Sequence, residues 1–100
     1  MRVLADLLEP VEAETPYGGR VVSYEPLGSV WLRVESRRRR DRTEAGASAA
    51  VDTATVETRA DPRLSEGRIV RFGGGDWTIA AVGGDPDRPG RVTLNIERTR

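Results

Sequence analysis

Between residues 68 and 97 the chain passes through three short β-rich runs, RIVRF, WTIAAV and RVTLNIE, separated by Gly73-Gly74-Gly75-Asp76 and by Gly83-Gly84-Asp85-Pro86. Glycine clusters at this spacing between β-branched runs are hairpin signals, because tight turns between antiparallel strands need positive φ at their central residues. Three such strands in succession make a meander. A phosphate-binding loop would instead need a helix directly after its glycines, so that N-terminal amides face the anion, together with a lysine and a hydroxyl. WTIAAV is too short and too β-branched to be that helix, and the chain contains no lysine. The glycines are therefore turn residues.

The same reading extends upstream. LLEPVEAE from Leu7 is extended but carries Pro10, which confines it to a strand edge or start. Thr15-Pro16-Tyr17-Gly18-Gly19 is a turn cluster, RVVSYE a short strand, and Pro26-Leu27-Gly28 a kink or bulge. SVWLRVES alternates, with Val30, Leu32 and Val34 opposite Trp31, Arg33 and Glu35. VDTATVETR, 51–59, is a further strand with Ala54, Val56 and Thr58 on one side, ended by Asp61-Pro62. In the last strand Val92, Leu94 and Ile96 alternate with polar residues. Between the third and fourth strands RRRRDRTEAGASAA, 37–50, loses the alternation; a helix there would set Arg37 to Arg40 against its dipole and Gly46 in its interior. A long polar loop is expected. The fold class is all-β, a small antiparallel barrel or sandwich of about six strands, the barrel being preferred.

Composition bounds the chemistry. A chain of 100 residues makes one domain, residues 1–100, and buries only ~60–70% of its unfolded surface, so its core is modest and can need a partner. Sixteen arginines offset sixteen acids, which gives no case for bulk binding to nucleic acid or an anionic membrane. The absence of cysteine and histidine excludes disulfides, thiolate or imidazole metal sites and every catalytic scheme built on those residues. No apolar run approaches the ~20 residues that span a bilayer, and MRVLADLLEPVE acquires acids too early for a signal peptide. The expectation is a soluble cytoplasmic protein, not an enzyme, with no cofactor, metal or small-molecule substrate.

Three features could carry function. Trp31 and Trp77 could stack on bases, although with so few aromatics both are better read as core anchors. Asp85 and Asp87 flank Pro86 as a pair of carboxylates, a commonplace of turns, and no site is assigned to them. Arg37, Arg38, Arg39, Arg40 and Arg42 with Asp41 give a local excess of positive charge able to meet phosphate or an acidic protein surface. A solvated loop explains the run equally well.

Taken in order, YGGRVVSYE (17–25), SVWLRVES (29–36), AGASAAVDTATVETRAD (45–61) and LSEGRIVRFGGGDWTIAAVGGDPDRPGRVTLNIE (64–97) resemble the small phage head-tail joining proteins, also called head-tail adaptor, head-closure or stopper proteins, which gene transfer agents carry too. The resemblance covers residues 15–98. It implies a β-barrel that assembles with itself as a cyclic ring, six copies favoured over twelve, between the portal/adaptor ring and the tail-terminator ring. That ring retains the packaged double-stranded DNA and docks the tail, in the neck of a phage-like particle assembled in the bacterial cytoplasm. The excursion at 37–50 would then line the channel or touch a neighbouring ring, with Arg37, Arg38, Arg39, Arg40, Arg42 and Glu44 as the contact residues. The acidic start, Asp6, Glu9, Glu12 and Glu14, departs from the basic opening strand frequent in the family, which bears on the partner surface more than on the fold. The alternative is a small nucleic-acid-binding barrel that uses Arg37 to Arg42 and Trp31.

Overall fold

The computed structural model describes residues 2–44 and 47–99, with side chains described outside 40–49 and 99. Six antiparallel strands, β1 (Arg2–Glu14), β2 (Arg20–Glu44), β3 (Ala47–Arg59), β4 (Ile69–Phe72), β5 (Gly75–Gly84) and β6 (Arg91–Thr99), close into a barrel in the order β1-β2-β3-β6-β5-β4. Closure removes the unpaired edges an open sheet would expose. There is no helix among the described residues. The meander at 69–97 is as expected: Gly73 and Gly74 have φ of 60° and 78° between the paired Phe72 and Gly75, the two positive central dihedrals of a type I′ turn.

The alternation read from the sequence fills the barrel. Leu32, Val56, Leu94 and Ile96 are buried at 1% exposure or less, with Trp77 at 2%. Trp77 stacks on Phe72, ring centroids 5.8 Å apart and 8° from parallel. Fully burying such side chains is worth roughly 1.5–3 kcal/mol each. Trp31 corrects its expected place in the core: it is 57% exposed. Its neighbours Val30 and Leu32 point inward, so alternation turns Trp31 outward, and the interior already holds one indole.

Strand β2 organises everything else. Its first part pairs with β1 from Arg20 to Arg33 and its second with β3 from Arg33 to Glu44. Leu27 and Glu35 are the extra residues of two bulges, where the partner registers skip one position. Bulges bend and twist a strand, which lets one strand serve both neighbours around a narrow barrel. Pro10 sits where expected, because β4 pairs with β1 only at Asp6, Leu7 and Leu8. Beyond Leu8 one side of β1 is unpaired, and a missing N–H costs nothing there. Residues 9–14 of β1 and 20–25 of β2 thus form a two-stranded arm beyond the barrel.

The expected loop at 37–50 is overturned. Arg37 to Glu44 continue β2 and pair in register with β3, from Arg37 opposite Ala54 to Glu44 opposite Ala47. Strand propensity depends on what a side chain meets, and here Arg37, Arg38 and Arg39 lie opposite Ala54, Thr53 and Asp52, which are small, polar and acidic. The side chains of Arg40, Arg42 and Glu44 lie outside the described residues.

Candidate functional site

Because successive strand residues face opposite ways, the arginine run is divided between two surfaces. Arg37 and Arg39 share the face that carries Asp52, Trp77 and Arg98. The Arg98 guanidinium lies 4.6 Å from the Trp77 ring centroid, and that of Arg37 lies 5.9 Å from both the Trp77 and Phe72 centroids. Cations over aromatic faces are attracted by the ring quadrupole, by about 0.5–1 kcal/mol at exposed sites and more when desolvated. Asp52, only 8% exposed, accepts from Arg39 Nε at 3.2 Å and Arg98 Nε at 3.3 Å. Three guanidiniums therefore surround one carboxylate in a groove of about 370 Å³. Each guanidinium has five donors, so the groove suits an added anion. Gly75 makes room for this arrangement: a Cβ there would meet Arg98 Nη1. Arg38, on the alternate face, borders this groove and also lines a second one with Ser36, Thr53 and Asn95.

A second basic surface is assembled from residues scattered through the chain. At the opposite part of β2, Arg2 lies directly across from Arg33, and on the neighbouring strands Arg59 lies across from Arg91. Like charges directly opposite in a sheet are destabilising. These pairs flank a cleft of about 350 Å³ where β2 and β3 separate, with exposed Trp31 at its side. Arg2 lies 5.9 Å over the Trp31 ring, and Thr58 Oγ1 bridges the separating strands by donating to the Trp31 carbonyl at 2.7 Å. Glu57 accepts from Arg88 at 3.0 Å and lies 3.9 Å from Arg91. Among the described residues no carboxylate comes within 4.0 Å of Arg2, Arg33 or Arg59, although Glu57 lies across from Arg33 on β3. Sequence reasoning missed this cleft because its cations are distant in the chain; the pairing of β1 with β2 through the turn at 15–19 was the one clue that Arg2 meets Arg33.

At the rim of that cleft Asp61 binds Arg63, with Arg63 Nη2 donating at 2.7 Å and Nε at 3.0 Å. These hydrogen bonds hold the Asp61 carboxyl at a pKa of about 2 and raise that of the Arg63 guanidinium. Arg63 Nη1 also donates to the carbonyl of the bulged Leu27 at 2.7 Å. Asp85, one of the turn carboxylates, accepts from the Asp87 backbone N–H at 2.9 Å, a local turn bond as expected. No cluster of three or more potential metal-binding side chains occurs among the described residues.

The grooves are open and lined by arginine, and the chemistry they offer is adhesion to anions. Among solved structures the chain is similar to a component of one described as "Virion of native gene transfer agent (GTA) particle", with a TM-score of 0.73 and 24% sequence identity over 98% of this chain and 94% of that one. At that identity the likeness is one of fold. No curated protein matches. The family model described as phage head completion protein matches residues 1–96, nearly the whole barrel, and the chain belongs to that family.

Proposed function

We propose that the chain is a structural head-tail connector subunit of a phage-like particle or gene transfer agent, of the stopper or head-completion kind. The observation that carries this reading is the family match over residues 1–96. Copies form a ring between the portal/adaptor ring and the tail-terminator ring, retain packaged DNA and dock the tail. Its role is mechanical rather than catalytic. The groove of Arg37, Arg39 and Arg98 supplies the anion-binding surface of that ring, and packaged double-stranded DNA is the anion we assign to it. Phosphate recognition by guanidinium is bidentate and strong, and one carboxylate among three cations leaves the groove electropositive.

Deleting the gene from cells that make the particle tests the reading. Heads should accumulate without tails and fail to hold their DNA, seen by electron microscopy and nuclease sensitivity, and the chain supplied in trans should restore both. Tailed particles with protected DNA in its absence would overturn it.

A further inference from the structure

The barrel carries an arm whose apolar side chains its own fold leaves about half exposed. In the arm formed by residues 9–14 and 20–25, Val21, Val22 and Tyr24 are 46–52% exposed. Val21 and Val22 are consecutive, so they lie on opposite faces, and the arm meets the barrel through Arg71, 6.0 Å over the Tyr24 ring, and through Arg68 on Glu9. A two-stranded ribbon without further cover is marginal in water. The arm is also acidic: Glu9, Glu12, Glu14 and Glu25 against Arg20 leave three net negative charges, of which Arg68, outside the arm, offsets that of Glu9. The cleft beside Trp31 is its electrostatic opposite, since Arg2, Arg33, Arg59, Arg63 and Arg91 against Glu57 and Asp61 leave three net positive charges. Leu4, directly across from Trp31 and 52% exposed, extends the apolar side of that cleft.

We propose that the β1–β2 arm of one copy docks into the arginine cleft of another, head to tail. Glu12 lies opposite Val22 and Glu14 opposite Arg20, and Tyr24 shares that face by alternation; Arg20 lies 3.6 Å from Glu12 and leaves the face one net negative charge. That face sets Glu12 and Glu14 against Arg2, Arg33 and Arg59, and Val22 and Tyr24 against Trp31. The contact relieves the two like-charge cross-strand pairs and covers the arm. A second copy fits better than nucleic acid, because the exposed Trp31 and Leu4 need an apolar partner, which Val22 and Tyr24 of the arm supply and a phosphate chain does not. Arm and cleft are different patches, so each contact leaves one of each open, the heterologous arrangement that closes into rings. The inference rests on the ring reading above for its closure, though not for the pairwise contact.

The chain has no cysteine, which makes site-directed cross-linking clean. Val22→Cys on the arm and Ser29→Cys at the cleft, treated with a short bismaleimide, should cross-link when the two single variants are mixed at high concentration, and the double variant should give a ladder in purified particles. Arg33→Glu with Arg59→Glu on the cleft variant should abolish the product, and Glu12→Arg with Glu14→Arg on the arm variant should restore it. Dimers from Val22→Cys alone as abundant as those from the mixture would overturn the proposal, as would protection of position 29 by duplex DNA instead of by the arm. Particles that contain the chain but give no ladder would overturn this contact and leave the connector reading standing. Particles that lack the chain would overturn the connector reading, and the mixed free variants then decide the contact.

Discussion

The two tryptophans show how much one step of alternation decides. Trp77 is 2% exposed, stacked on Phe72 and covered by Arg98. Trp77→Ala should cost about 3–5 kcal/mol, a large part of what a domain this small possesses. Trp31→Ala, at a site 57% exposed, should stay within about 0.5 kcal/mol. Chemical denaturation of both variants measures the contrast, and equal losses would contradict the placement. Gly28 is constrained twice, by a φ of +123° and by the Arg63 guanidinium where a Cβ would stand. Gly28→Ala should therefore cost about 1–3 kcal/mol through backbone strain and release the Leu27 carbonyl from Arg63. The Asp61 carboxylate that holds Arg63 has a folded pKa of about 2 against an ordinary 3.8. A depressed acid pKa means the stabilisation is fully present above about pH 4 and fades as the pH falls towards 2. Asp61→Asn should thus lower the melting temperature at neutral pH by an amount that shrinks over that window, and a pH-independent difference would remove the ion pair as its cause.

Among the elements, the strands that bury a regular face were legible and the arginine strand was not. Val30, Leu32, Leu94 and Ile96 announce their side of the sheet by spacing alone. Arg37 to Arg40 hide theirs, since identical residues on both faces erase the period. What makes that segment a strand is the partner across from it, Asp52, Thr53 and Ala54, and the two indole-facing arginines, all of which are facts of pairing rather than of local pattern. The bulge at Leu27 was readable from Pro26 and Gly28, whereas the one at Glu35 had no turn residue to mark it. The arginine cleft around Trp31 needed register to be seen at all. Replacing Arg37, Arg38, Arg39 and Arg40 by Ser should leave the barrel folded, because β2 and β3 remain paired and Asp52 keeps Arg98. The variant particles should assemble yet lose their DNA to nuclease. On the free protein each lost phosphate contact should lower the salt slope of DNA binding by about one unit. Fully active particles would reduce the run to its part in the sheet.

At the scale of the whole molecule, the core and the proposed contact between copies are drawn from different stretches of the chain. The buried cluster draws on Ala5 and Leu7 of β1 and on Val30 and Leu32 of β2, and none of its residues lies in the arm between them. A chain under pressure only to close a barrel has no use for those paired residues, which leave apolar side chains in water and reach past the last β1–β4 pair. Glu9 and Glu25 are register partners, so an Asn-Gly turn placed directly between them can close β1 onto β2 as a tight hairpin. The shortened protein should melt cooperatively, as judged by circular dichroism, and should stay monomeric by native mass measurement at concentrations where the parent associates. Its association should differ from the parent's most at low salt, because contacts among exposed charges are screened within about 10 Å at 0.1 M. If the shortened barrel does not fold, the arm belongs to the fold; if it folds and still assembles as the parent does, the arm is not what joins the copies.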